Sequence, residues 1–297
     1  MSSGSAGGAV AFAALLRWYD EHARDLPWRR PGTSPWAILV SEVMLQQTPV
    51  ARVLPAWQDW LARWPTPAAL AADTAGEAIR AWGRLGYPRR ALWLHECATT
   101  IVARHGGEVP ASLAQLLDLP GVGAYTARAV AAFAYGQRHP VVDTNVRRVV
   151  ARAVSGVADA GPATTAGDLA AVESLLPAEP ALAVRANAAL MELGALVCTA
   201  RAPRCAGCPF TTSCAWRAAG AAAPDGPTRR RQGYAGTDRQ VRGILLDALR
   251  RASEPVPRAR LDVLWADAAQ RDRALASLIS DGLVHEVAAG RYSLPGA

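Results

Sequence analysis

The chain has 297 residues, 51% of them hydrophobic and 19% charged, a globular composition long enough for two or three domains. Its formal charge is +7, and because no lysine occurs all 32 basic residues are arginine; this points to a polyanionic partner and excludes Schiff-base chemistry by a side-chain amine. No run of about 18 apolar residues occurs, so no membrane-spanning helix is expected and the protein should be soluble and intracellular.

Residues 1–8, rich in Ser and Gly, predict a flexible tail. The apolar run 9–16 lacks the basic segment that precedes a signal-peptide core. It continues into Arg17, Trp18, Tyr19 and Asp20 at helical spacing, which predicts the first helix. Amphipathic helices are predicted over 55–63, 67–85, 91–105 and 126–135, separated by Pro and Gly. Strand-like alternation is scarce up to about residue 200, so the body is predicted to be all-α. Residues 219–236, rich in Ala, Pro, Gly and Arg and including Arg229, Arg230 and Arg231, predict a linker or a basic strap. Residues 237–297 predict three helices (239–251, 258–265 and 271–280) and a two-stranded wing over 283–294. That is a winged-helix-like α+β unit, serving either DNA affinity or packing and dimerisation.

Four of the five cysteines, Cys198, Cys205, Cys208 and Cys214, form the pattern C-x6-C-x2-C-x5-C. An all-thiolate set this compact suits zinc or an iron–sulfur cluster, and disulfides are disfavoured in a reducing compartment. Cys97, in the middle of a predicted helix, reads as core.

Upstream, Leu119-Pro120-Gly121-Val122-Gly123 separates two helical patterns. Glycines so spaced let a turn offer backbone N–H groups beside a helix N-terminus, where a phosphate can be held. The segment runs on into Tyr125, and Val141-Val142-Asp143-Thr144-Asn145 places an aspartate 18 residues beyond it. Over roughly residues 10–218 the chain resembles the MutY family of adenine DNA glycosylases, in the helix-hairpin-helix or endonuclease III superfamily. The segments that carry the resemblance are 24–29, 41–48, the hairpin with its aspartate, 191–195 and the cysteine spacing. The resemblance implies a six-helix barrel domain over 31–136 and an iron–sulfur cluster domain built from 9–30 and 137–218. It also implies a [4Fe–4S] cluster on the four cysteines and a monomer that acts on mispaired duplex DNA in the cytoplasm, associated with the nucleoid.

Releasing adenine requires protonation of the leaving base and stabilisation of the cationic sugar, work that two carboxylates in unlike environments can divide. Glu42 is the only charged residue between Arg30 and Arg52, which makes it a candidate for burial and hence for a raised pKa. The resemblance makes it the acid at adenine N7. Asp143 has the sequence context of a helix N-cap. By resemblance it also stabilises the oxocarbenium ion, with Tyr125 and Asn145 orienting the groups and the adenine flipped out of the stack. Strand-cleaving relatives carry a lysine where Tyr125 stands, so a monofunctional glycosylase that leaves an abasic site is expected.

Further positions follow from the resemblance. Gln46, Gln47 and Thr48 match the segment that reads the opposite base, Leu85 and Tyr87 the intercalating loop with Tyr87 as wedge, and Gly121 and Gly123 the phosphate-holding hairpin. Arg24, Trp28 and Arg29 match the lining of the adenine pocket. The chain departs from the pattern at Pro88, where a second tyrosine is usual, and at Ala188, where Gln or Glu is common. It also lacks a recognisable NUDIX-like C-terminal domain. The rival readings are a thymine or uracil mismatch glycosylase, which typically lacks the glutamate at position 42, and a non-catalytic iron–sulfur DNA-binding regulator, which would need neither Glu42 nor Asp143.

Overall fold

The computed structural model describes residues 4–222 and 233–296, with side chains from Phe12 onward; the basic run 229–231 and part of the linker reading lie outside the described residues. In chain order the helices are α1 Gly4–His22, α2 Pro35–Leu45, α3 Val50–Arg63, α4 Pro67–Ala71, α5 Ala75–Trp82, α6 Arg89–His105, α7 Leu113–Leu117 and α8 Ala124–Tyr135. They continue with α9 Thr144–Ala153, α10 Ala166–Leu175, α11 Pro180–Leu196, α12 Ala215–Ala218, α13 Asp238–Arg251, α14 Arg258–Asp262 and α15 Ala268–Ser280. Three short strands, β1 Val256–Pro257, β2 His285–Ala288 and β3 Arg291–Ser293, lie among and after the last three helices. Among the described residues, no helix is long and apolar enough to cross a membrane.

The chain divides into two compact units, each assembled from separated segments. The first comprises 1–38, 111–113 and 123–228. Its core is α11 packed on α9 and α1, with Leu15, Val146, Val149, Leu190 and Leu193 buried together. On α9 the apolar positions 146, 149, 150 and 153 form one stripe, and burial of that stripe outweighs the modest helix propensity of valine. Pro180 begins α11, and the Glu179 carboxylate accepts from the N–H groups of Ala181 and Leu182. Helix α1 starts at Gly4, inside the stretch read as a tail; residues 1–3 lie outside the described residues.

The second unit comprises 39–110, 114–122 and 229–297. Here α4 and α5 pack on α6, and Trp60 lies edge-on to both Trp64 and Trp82. The helix expected over 67–85 is two helices. The hydroxyl of Thr74 accepts from the N–H of Glu77 and caps α5, while the Asp73 carboxylate accepts from Thr74 N and Trp64 Nε1 and pairs with Arg63. These local bonds compete with helix continuation. Helix α3 begins at Val50 rather than at the proline, and Pro55 lies inside it.

The C-terminal segment has three helices and an antiparallel sheet of order β1-β3-β2, one strand more than expected. Pro257 lies in β1 at the edge of that sheet, where its missing N–H is tolerated. The helix expected over 258–265 ends at Asp262, and the one expected at 271 starts at Ala268, capped by Asp267.

Candidate active site and cysteine loop

In the first unit Asp143 is the N-cap of α9: Oδ1 accepts from Val146 N at 2.7 Å and Oδ2 from Asn145 Nδ2 at 2.8 Å. Burial raises its pKa above the ordinary aspartate value, against the opposing pull of these bonds and of Arg148. Asn145 is itself held, its Oδ1 accepting from Arg148, whose guanidinium also donates to the carbonyls of Gly194 and Cys198 at 2.7 Å. A side chain at Gly194 would meet Asn145 Cβ at 2.6 Å, so the close approach of α11 to the start of α9 depends on that glycine. Ahead of Asp143, the fully buried Asn187 fixes the chain by accepting from Val141 N and donating to His139 O. Tyr125, in the first turn of α8, packs beside Val141, Ala129 and Ala132. Three of the expected catalytic side chains thus belong to one well-anchored neighbourhood.

Arg24 and Arg29, expected at the adenine pocket, both engage Glu192. Arg24 donates through its backbone N (3.1 Å), Nε (2.6 Å) and Nη2 (3.0 Å), and Arg29 through Nη1 at 2.8 Å. Glu192 is fully buried. Burial alone would raise its pKa, but the two guanidiniums override it and hold the carboxyl below the usual glutamate range. Trp28, between the two arginines in sequence, is buried. Glu192 carries the signal that singled out Glu42, since it is the only charge between Arg185 and Arg201, yet sequence reasoning gave it no role.

In the second unit Glu42 is buried in α2 beside Ser41, Val43 and Met44. The following segment turns at Gln47, which adopts a left-handed φ of 57° and is exposed; Gln46 is half-buried and Thr48 buried. Arg90, near the start of α6, ties this segment to the Tyr87 loop. Its Nη1 donates to the carbonyls of Val43 (2.8 Å), Met44 (3.2 Å) and Gln46 (2.6 Å), and its Nη2 to Thr48 Oγ1 and Gly86 O, both at 3.1 Å. The guanidinium lies 5.3 Å from the ring centres of both Trp82 and Tyr87. Thr48 also donates to Leu85 O. Leu85, expected in the intercalating loop, is buried, so only Tyr87 is presented, 53% exposed and with a left-handed φ of 48°. Sequence reasoning missed Arg90, because nothing in the chain distinguishes an inward-turned arginine from the others.

At the hairpin, Gly121 has φ +73° and lies against Trp93, where a Cβ would approach to 2.6 Å. Gly123 is the N-cap of α8, with no side-chain cap and open space where a Cβ would stand.

The four expected cysteines line one cavity together with Val197, Pro203, Thr211 and Trp216. Burial pushes the Cys208 thiol up to about 11, with Cys198, Cys214 and Cys205 adding to the shift. Among the described residues, no group of three or more His, Cys, Asp or Glu side chains converges on a single metal ion. Arg152 lies 3.6 Å from Cys198 Sγ and stacks on Trp216. Cys97 is buried in α6, its thiol pushed up to about 12 by burial.

A family model described as HhH-GPD superfamily base excision DNA repair protein matches residues 40–170. The adenine DNA glycosylase of Mycobacterium tuberculosis is 62% identical over 95% of this chain and 92% of its own length. The adenine DNA glycosylase of Mycolicibacterium smegmatis is also 62% identical, over 97% of each chain. Among solved structures, a thermostable thymine-DNA glycosylase matches with a TM-score of 0.64 at 27% identity, over 71% of this chain and 97% of that one.

Proposed function

The chain belongs to the adenine DNA glycosylase family of the HhH-GPD superfamily, and from that premise we propose that it hydrolyses the bond between deoxyribose and an adenine mispaired with 8-oxoguanine or guanine. The observation that carries this reading is the 62% identity to mycobacterial adenine DNA glycosylases across nearly the whole chain. The thymine-DNA glycosylase structure, in contrast, matches only 71% of it.

In this reading Glu42 gives a proton to adenine N7. The glycosidic bond then breaks, its electron pair leaving with the base, and Asp143 stabilises the cationic sugar until water adds at C1′ and a carboxylate takes the released proton. Asn145 holds Asp143 Oδ2, and Tyr125 stands where strand-cleaving relatives have an amine. With no lysine available, the product is an abasic site in an intact strand. Tyr87 enters the stack, Gln46 and Gln47 face the opposite base, and the Gly121–Gly123 hairpin holds a phosphate. Arg24, Trp28 and Arg29 support the adenine side of the site, the two arginines through Glu192.

Cys198, Cys205, Cys208 and Cys214 would hold a [4Fe–4S] cluster, whose contribution is to organise the loop beside α9. All four thiolate donors line one cavity, a donor set of the kind that holds an iron–sulfur cluster. The protein would act as a cytoplasmic monomer on nucleoid DNA.

The test is base release from duplexes containing A:8-oxoguanine, A:G, G:T and G:U. Adenine release with the strand left intact, lost in Glu42→Gln and Asp143→Asn while duplex binding survives, is the expected outcome. Thymine release from G:T without adenine release from A:G would overturn it in favour of a mismatch thymine glycosylase.

A further inference from the structure

Residues 237–297 hold nine arginines against eight carboxylates, a net charge of +1, so most of the chain's basic surplus lies elsewhere. Many of the module's arginines are paired internally: Arg258 with Asp262 and Asp272, Arg271 with Asp262, Arg251 with Asp247 and Arg242 with Asp281. Along α15, the helix that would enter a groove if this were a DNA reader, the exposed positions are Ala268, Ala269, Asp272, Arg273, Ala276, Ile279 and Ser280, and Arg273 lies 3.7 Å from the Asp238 carboxylate. This is a poor surface for phosphates.

The module is instead fastened to α5, the helix that leads directly into the Tyr87 loop. At the N-terminal end of α5, Gly76 N donates to Pro295 O at 2.8 Å; a side chain at Gly76 would meet that oxygen at 2.5 Å, and Gly296 lies against Thr74. At the other end Arg80 donates to the carbonyls of Arg250 and Ala252, and Arg250 Nε donates back to Ile79 O at 2.9 Å. Two further pairs bracket the loop itself. Arg84, three residues before Tyr87, approaches Asp247 at 3.8 Å. Arg89, two residues after it, pairs at 3.3 Å with Asp281, which Arg242 holds from the other side.

We propose that the C-terminal module is a brace for the Tyr87 loop, fixing α5 and both flanks of the loop so that Tyr87 enters the duplex without the loop yielding. The inference rests on the reading of Tyr87 as the wedge. It assigns the module a positioning role in opening the base stack and none in reading DNA sequence.

The experiment uses the full-length chain with Asp247→Asn and Asp281→Asn together, and separately with Gly76→Ala, which disturbs the Pro295 contact from the other end of α5. A 2-aminopurine beside the mispaired adenine reports unstacking, and affinity for undamaged duplex is measured alongside. Unstacking about fivefold slower in the double carboxylate variant, the scale of the two loop-flanking ion pairs it removes, and slowed also in Gly76→Ala, with undamaged-duplex affinity unchanged in both, is the expected result. Parental unstacking in both variants overturns the brace, as does an affinity for undamaged duplex that falls in step with unstacking. Tyr87→Ala separates the two readings. If it unstacks like the parent, the wedge reading fails and the brace with it; if it fails to unstack while the brace variants succeed, only the brace is lost.

Discussion

Replacing Arg90 with methionine keeps much of the apolar stem and removes the guanidinium that donates to five acceptors: the carbonyls of Val43, Met44, Gln46 and Gly86 and Thr48 Oγ1, of which Gly86 O keeps Trp82 Nε1 and Gln46 O keeps Thr48 as other donors. Hydrogen bonds to charged groups are worth about 1.5–3 kcal/mol each, and an orphaned buried acceptor costs about 1–3 kcal/mol. These effects are not additive, and several of the carbonyls would find water as the loop loosens. Burial also holds the Arg90 pKa below the ordinary arginine value, a sign that keeping the charge there has its own desolvation cost. The net expectation is a destabilisation of about 3–4 kcal/mol, a large share of the roughly 5–15 kcal/mol typical of a folded protein. Arg90→Lys, with its donors at one point instead of on a planar fork, should recover less than half of the loss. Urea unfolding of the full chain measures this, with single-turnover base release on A:8-oxoguanine duplex as the second readout. A methionine variant within about 0.5 kcal/mol of the parent, the scatter of ordinary surface substitutions, would refute the view that Arg90 holds the two segments together.

Three further outcomes follow from the same geometry. Glu192→Gln places an amide donor against arginine donors and should cost about 2–3 kcal/mol at neutral pH, discounted from a fully buried pair because Arg24 and Arg29 are partly exposed. Because the folded-state pKa of Glu192 is lowered, its stabilisation is present above the unfolded value and lost as pH falls through the folded one; the gap between variant and parent in acid-range melting should therefore begin to narrow below about pH 4 and close as pH passes the lower folded value. Asp143 has the opposite sign. Its pKa is raised, so ionisation costs stability as pH rises through the folded value, and Asp143→Asn should melt no lower than the parent at neutral pH while losing base release; a substantially lower melting point there would count against the desolvation argument. Cys205→Ser should lower soluble yield and abolish the brown absorbance of a cluster, and purified parent carrying zinc without iron would contradict the assignment.

Much of the site is legible from isolation and spacing. A single carboxylate in an apolar run predicts the burial of Glu42, and two valines followed by Asp143, Thr144 and Asn145 predict a cap at the start of α9. The cysteine pattern predicts a shared cavity. What remains hidden depends on contacts far apart in sequence. Glu192 meets Arg24 across 168 residues, and Arg90 is one arginine of 32 until the fold turns it inward. The break at Thr74 is hidden for a different reason: side-chain bonds to the backbone end α4 and start α5 inside a run whose apolar periodicity looks continuous. Likewise, the three-helix pattern of the last 60 or so residues leaves DNA affinity and packing both open, and the paired arginines and the Gly76–Pro295 contact favour packing.

The interleaved make-up of the two units bears on how the chain matures during synthesis. The first unit needs residues 10–30 to wait for α11, and the second needs α5 to wait for Pro295, more than 200 residues later. Helices α4, α5 and α6 can pack on one another early, but the α5 positions that meet Arg250, Ala252 and Pro295 stay open until those residues have been made. Nascent chains stalled short of residue 240 are therefore the species most dependent on chaperones.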